Sequence, residues 1–419
     1  MGPRGAGGGV EGELTSMSAD IKPLSGIRVI DLTQILQGPY CAFLMAMAGA
    51  EVIKIEPLTG DRTRRYTVSK VPPVSFAMLN SNKKSVTLNL RSVRGKEILK
   101  ALVKDADVLL ENYAPGVMDR LGVGYAVLKD INPRLIYATG TGYGITGPDR
   151  DLLAMDHTIQ ADGGLMSVTG ERGGPPARAG GTPVDVLGGI HMHAGVMQAL
   201  LGRAKTGKGT LVETAMIEAL YFVLTGEIAA YYRTGKLSQR RGDKSPSQRI
   251  PYSRYLCSDG GYMVLMAVAE THWDNVLTVI GREDLKGHPD YNSDTRRGAR
   301  EQEINDMIEA WTRQRTRDEA IAAMRAHRIP VAPVRNVAEV MNDPHMHQRG
   351  MLKHLYHPDL GDIVLPQSPI HLSAYDMPEV QFYPGLGEHN REVLGGLLGM
   401  SDVEMDALAA EGVILQHES

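Results

Sequence analysis

The stretch "IRVIDLTQILQGPYCAFLMAMAGAEVIKIE", residues 27–56, decides the fold. Its first part, "IRVIDL", is a short apolar run of strand type, "YCAFLMAMAG" is a helical stretch closed by Gly49, and "AEVIKIE" is a second strand run. Two short buried strands joined through a helix predict parallel neighbours linked by a right-handed crossover. The alternation continues with "KSVTLNL" (strand), "GKEILKALVKDA" (helix), "DVLLEN" (strand), "VMDRLGV" (short helix) and "RLIYATG" (strand). The sequence therefore predicts an α/β fold with a Rossmann-like parallel sheet. Ligands of such sheets sit beyond the carboxyl ends of the strands, which directs attention to the loops after Leu32, Glu56, Glu111 and Thr139.

At 419 residues and 42% hydrophobic content, the chain can bury a large core and divides into two domains. The expected organisation is a disordered, Gly-rich tail at 1–22, the N-terminal part of a large α/β domain at 23–225 and a polar linker at 226–249. A small α+β domain follows at 250–330, and residues 331–419 form a linker and a C-terminal part that completes the large domain. Within the small domain, "YLCSDGGYMVLMAV" predicts two strands around a turn at Asp259-Gly260. "TLVETAMIEALYFVL" is a strand or helix that leads into a buried helix.

A net charge of −4, with both signs mixed along the chain, argues against nucleic acid or an anionic membrane as partner. Aromatic residues make up only 5%, too few for a base-stacking surface. Cys41 and Cys257 are the only cysteines and lie far apart, which excludes a disulfide framework or thiolate zinc site and fits a reducing, cytoplasmic setting. No apolar run has the length of a membrane span, and "MGPRGAGGGVEGELTSMSAD" has none of the features of a signal peptide.

Several motifs carry less than they first suggest. "GTGYGITG" (140–147) follows a strand, but the helix that should open on a dinucleotide fingerprint is replaced by "PDRDLLAMD". His191 and His193 are two residues apart in a helix and point to different faces, so they do not form a metal pair. No G-x-S-x-G elbow is present. "GGTPVDVLGGIHMHAG" (180–195) places Asp185 between a Pro-Gly loop and a glycine-rich helix. On this stretch alone, Asp185 reads as a helix N-cap.

Taken in order, the segments resemble the class III CoA-transferase family, which includes formyl-CoA:oxalate CoA-transferase, carnitine CoA-transferase and 2-methylacyl-CoA racemase. The likeness rests on "PLSGIRVIDLTQILQGPY", "GAEVIKIEP…GDRTR", "NSNKKSVTLNL…GKEILKALVKDADVLLENYAPGVMDRLGVGY", "NPRLIYATGTGYGITGP", "LMSVTG", "KTGKG", "PHMHQRGML" and "LGEHNREVL", and runs from Pro23 to Val413. The resemblance implies transfer of coenzyme A from an acyl-CoA to a small free carboxylic acid, with CoA as substrate and no permanently bound cofactor or metal. It also implies an interlocked homodimer.

By the same resemblance, Asp185 is the nucleophile and Gln37 a loop amide beside the reacting carboxylate. Asn112 and Arg120 match positions at the CoA-binding face, Arg120 being the better suited to phosphate, and Asp156 matches an acidic position near the active site; Arg62, in "GDRTRR", and Lys83, in "NSNKK", are candidate phosphate contacts. Gly188 and Gly189 either offer backbone N–H groups to an oxyanion or permit close helix packing. Three features depart from the family pattern. The racemase branch has a His directly before the acidic residue; here Met155 stands before Asp156, and His157 follows it. No glycine-run loop is seen near 245–262, and Pro57 stands where the oxalate enzyme has an Arg. An acyl-CoA racemase is thus the second functional expectation, and a non-catalytic CoA-binding protein the third.

Overall fold

Strands β1 (Arg28–Asp31), β2 (Glu51–Glu56), β3 (Lys84–Thr87), β4 (Val108–Glu111), β5 (Ile136–Thr141) and β6 (Leu211–Ala215) pair in parallel in the order β3-β2-β1-β4-β5-β6. These come from a computed structural model that describes residues 21–65, 74–242, 249–357 and 361–416. The expected tail at 1–22 lies outside the described residues except for its last two, as does the 243–248 portion of the expected linker.

Successive side chains of a strand point to opposite faces, and the two faces of the sheet carry separate cores. On one, Val29, Val52, Val108, Leu110, Ile136 and Ala138 pack against Cys41, Ala42 and Met45 of the Gln37–Ala46 helix and against Met192 and Val196 of the Pro183–Thr206 helix. On the other, Ile30, Ile53, Leu109 and Tyr137 meet Ile98, Leu99 and Leu102 of the Val93–Val103 helix. Val393, Leu394, Met405 and Leu408, from helices Asn390–Leu398 and Asp402–Ala410, close that same core. The chain's end thus returns to the sheet that its beginning builds.

The chain divides into two compact units. The first comprises 1–153, 185–216 and 345–419; the second comprises 154–184 and 217–344. The second unit holds a three-stranded antiparallel sheet of β7 (Tyr252–Leu256), β8 (Tyr262–Met266) and β9 (Val331–Pro333). Its core is built from Tyr255, Met263, Leu265, Trp273, Val276, Leu277, Ile304 and Ile308. β7 and β8 form the hairpin around Asp259-Gly260 that the sequence predicts, with Gly260 at φ 81°. The first unit also has an antiparallel pair, β10 (Leu352–His357) with β11 (Gly361–Pro366).

Two boundaries differ from expectation. The second unit takes in 154–184, 217–249 and 331–344 in addition to 250–330. Polarity reveals a linker, but it does not reveal which distant segments pack together. The expected linker at 226–249 opens with the Thr225–Thr234 helix; of the buried helix expected after β6, Met216, Ala219 and Leu220 are buried, and the exposed part begins at Tyr221. Phe222 and Tyr232 are 73% and 84% exposed. No helix among the described residues is long and apolar enough to cross a membrane.

Candidate active site

The strand order reverses between β1 and β4, which is where a doubly wound sheet opens its ligand crevice. Two loops meet there. After β1 the chain turns sharply, with Ile35 at φ 71°, a left-handed conformation that a β-branched residue adopts only under strain. Asn112, directly after β4, holds this turn with two bonds. Its Oδ1 accepts the Gln34 backbone N–H at 2.8 Å, and its Nδ2 donates to the Gln34 carbonyl at 2.9 Å. Gln34 Nε2 also donates to the Tyr113 hydroxyl at 3.3 Å. Asn112 therefore fixes the loop from which the Gln37–Ala46 helix starts.

Gln37, the first residue of that helix, is 3% exposed, and its Nε2 has no hydrogen-bond partner among the described residues. Such an unmade bond in a core is costly and rare. Two glycines make room for the amide. A Cβ on Gly140, at the end of β5, would lie 2.9 Å from Gln37 Nε2, and one on Gly188 would lie 2.7 Å from it. A Cβ on Gly189 would stand 2.5 Å from the Gln37 carbonyl oxygen. Gly188 and Gly189 lie inside the Pro183–Thr206 helix, where their N–H groups belong to the helical ladder. Their small size serves the close approach of the two helices.

Asp185 is the third residue of that helix. It shares a helix face with Gly188 and Gly189, three and four residues on. It is half-buried and sits in the first turn, where the helix dipole favours negative charge. The N-cap expectation does not hold, because Pro183, suited to a first helical position, starts the helix two residues earlier. Instead, Asp156 Oδ2 accepts the Val184 backbone N–H at 2.7 Å, and Asp156 Oδ1 accepts from Gln160 Nε2 at 2.6 Å. Asp156 is buried and acts as a helix-end acceptor.

Lys83 is held inside the fold, away from any phosphate-facing surface. Its ammonium is buried and donates to Asp31 Oδ2 at 2.9 Å, Asn80 Oδ1 at 3.0 Å and the Pro39 carbonyl at 3.1 Å. Burial presses its pKa down to about 8, against the pull of Asp31. Lys54 continues this buried network to Asp61 at 3.1 Å, and Arg64 to Glu56 at 2.7 Å. The motif "NSNKK" marks a lysine, but not whether its charge faces inward.

Arg62 and Arg120 are different. Both are exposed, and neither guanidinium makes an ion pair among the described residues. Arg62 follows β2 and Arg120 lies in the Val117–Leu121 helix that follows β4, both on the carboxyl-end side of the sheet. Sequence reasoning gave no role to Glu111, the last residue of β4. Burial raises its carboxyl to about 7, although Thr139 and the Tyr113 N–H both bond it. The "GTGYGITG" loop opens no helix; Glu213 Oε1 holds it by accepting the Ile145 N–H at 2.6 Å. His191 is exposed, and no group of three or more metal-ligating side chains occurs among the described residues.

Residues 24–390 match CoA-transferase family III. The chain is 36% identical over 411 residues to the formyl-CoA:oxalate CoA-transferase of Streptomyces avermitilis, spanning 94% of this chain and 100% of that protein. It is 33% identical over 396 residues to the succinyl-CoA–D-citramalate CoA-transferase of Chloroflexus aurantiacus, spanning 94% and 98% of the two chains. A CaiB/BaiF family protein from Brucella suis has a solved structure that matches with a TM-score of 0.82 at 31% identity. That match covers 90% of this chain and 99% of the other. Matches of this extent and identity show the family: the chain belongs to CoA-transferase family III, the CaiB/BaiF-type CoA-transferases.

Proposed function

We propose that this chain moves coenzyme A from an acyl-CoA to a small free carboxylic acid, with Asp185 as covalent nucleophile and Gln37 as the donor that steadies the oxyanion. The observation that supports this most is the buried Gln37 Nε2, without a partner among the described residues, beside Gly188, one helical turn from Asp185. A neutral amide aimed at the place where charge develops is the usual form of oxyanion stabilisation.

The steps follow from carboxylate chemistry. Asp185 attacks the thioester carbonyl, giving a mixed anhydride and CoA thiolate. The thiolate attacks the Asp185 carbonyl of that anhydride, which releases the donor acid and leaves an aspartyl-CoA thioester. The acceptor carboxylate attacks this thioester, forming a second anhydride and again freeing thiolate. The thiolate then attacks the acceptor's carbonyl, so the new acyl-CoA leaves and Asp185 is regenerated. Covalent catalysis of this kind divides one difficult exchange into easier steps and conserves the thioester.

Arg120 and Arg62, exposed and without ion-pair partners among the described residues, suit the phosphates of CoA. Asn112 and Asp156 serve as positioning residues, and Lys83 belongs to the buried charge network. The relatives' acceptors, oxalate and D-citramalate, support a short dicarboxylic acid as acceptor. Met155 before Asp156 and the exposed His157 favour transfer over racemisation. Exposed Phe222 and Tyr232 support the homodimer, which sedimentation velocity tests.

The test of function is a panel of formyl-CoA and succinyl-CoA donors against oxalate, malate, glutarate and monocarboxylic acids, read by formation of the new acyl-CoA. Transfer to at least one dicarboxylic acid is expected. Exchange of the C2 proton of a 2-methylacyl-CoA without transfer to any acid would replace this account with the racemase.

A further inference from the structure

A second buried donor lies on the sheet face that carries Gln37. Thr214 Oγ1, in β6, has no hydrogen-bond partner among the described residues. Its placement follows from two independent contacts. β5 and β6 are parallel with Gly140 opposite Thr214, and residues in register on parallel strands point to the same face. The missing side chain of Gly140 points at Gln37 Nε2, 2.9 Å from its Cβ position. Val212, two residues before Thr214 and so on the same face, has its Cγ1 2.7 Å from where a Gly195 Cβ would stand on the Pro183–Thr206 helix. Thr214 therefore projects toward the helix of Asp185, beside the strand end that Gln37 covers. All of these residues belong to the first unit.

Gln37 and Thr214 are the only neutral side chains of that unit whose buried polar atoms lack a partner among the described residues. The other such atom there, Asp61 Oδ2, has the Lys54 ammonium 3.1 Å away. Threonine hydroxyls that serve the fold bond groups of their own loops: Thr63 Oγ1 donates to Asp61 Oδ1, and Thr141 Oγ1 accepts the Gly144 N–H. Thr214 does not.

We infer that Thr214 is a substrate-contacting residue: its hydroxyl, together with Gln37 Nε2, binds an oxygen of the acceptor carboxylate presented to Asp185. This rests on the transferase reading above. An amide N–H and a hydroxyl give a carboxylate two donors without a cation that would hold the acid tightly and slow its release. The hydroxyl would thus contribute to selection of the acid and have little bearing on CoA.

Thr214→Val tests this because it keeps the shape and removes only the polar atom. Three quantities are read on Thr214→Val and Thr214→Ser: kcat/KM for oxalate and for glutarate, the dissociation constant of free CoA by calorimetry, and the melting temperature without substrate. Thr214→Val should lower kcat/KM for the better acid about tenfold, as loss of one bond to a charged group does. CoA affinity should stay within about twofold of wild type, and the melting temperature should not fall, since no bond of the fold is lost. Thr214→Ser should recover most of the loss. Unchanged kcat/KM in Thr214→Val, or a lowered melting temperature with acid and CoA weakened alike, would make Thr214 structural and overturn the inference alone. Absence of transfer by the wild type with every acid would overturn the transferase reading and this inference with it.

Discussion

Gln37 Nε2 lies 2.7 Å from the position that a Cβ on Gly188 would occupy, so these two helices meet at this distance only because residue 188 has no side chain. Gly188→Ala should push the Gln37 amide aside. Transfer should fall by about tenfold or more, with a stability loss of about 1–3 kcal/mol from overpacking. Gly202, in the same helix with nothing within 4 Å of its Cβ position, is the control. Gly202→Ala should gain about 0.5–1 kcal/mol from helix propensity and keep full activity. Steady-state kinetics and urea denaturation separate the two effects.

Asn112 acts through Gln34. Asn112→Ala removes both bonds that hold the turn at Ile35. The loop should relax from its strained φ and Gln37 should lose its aim. The expected result is a kcat about tenfold to a hundredfold lower, as for loss of one oriented donor, with the KM for acyl-CoA changed far less. A rise in that KM with kcat intact would instead make Asn112 a CoA ligand.

Two basic residues that look alike in the sequence should respond in opposite ways. Lys83→Met leaves Asp31 buried without its nearest cation and should cost about 3 kcal/mol or more of stability. The enzyme that remains folded should bind CoA normally. Arg120→Ala should leave the melting temperature unchanged and raise the KM for acyl-CoA about tenfold, near the value of one charge-assisted bond. Calorimetric melting with substrate titrations distinguishes them.

Glu111 gives the first unit a pH dependence. Its folded-state pKa of about 7 lies above the ordinary 4.5 because burial disfavours the charged form. Between those values the folded chain holds a proton that the unfolded chain has released. Stability from this group is therefore fully present below 4.5 and is lost as pH rises to about 7, an effect of order 3 kcal/mol. Glu111→Gln should flatten that slope and make the protein more stable at pH 8. Urea midpoints at intervals from pH 5 to 8.5 check this; parallel curves for the two proteins would contradict it.

Much of the sheet was legible because its strands are short apolar runs set between helices, and position along the strand pointed to the loops after β1, β4 and β5. The resemblance set Gln37 beside the Asp185 carboxylate, but the residues alone do not show what lets the Gln37 amide reach the helix that carries Asp185. The absence of side chains at Gly140 and Gly188 makes that room, and a sequence shows glycines without showing what approaches them. Lys83 was misread because "KK" carries no sign of which lysine turns inward; the deciding partner, Asp31, is on another strand. Thr214 was hidden in a segment that read equally as strand or helix, and only its register with Gly140 gives it a direction. The second unit's reach into 154–184 depends on contacts between segments distant in sequence, for which local periodicity holds no signal.

The most direct test of Asp185 as nucleophile is the intact mass of the protein after mixing with acyl-CoA and no acceptor acid. Under mild acid, the wild type should carry an added acyl or CoA mass, peptide mapping should place it on Asp185, and hydroxylamine should remove it. Asp185→Asn keeps the size of the side chain but cannot attack; it should stay unlabelled, fold, bind CoA and lose transfer by several orders of magnitude, on the scale of about 10⁴ or more seen for loss of a covalent nucleophile. An adduct mapped to another residue, or near-native turnover by Asp185→Asn, would contradict the account.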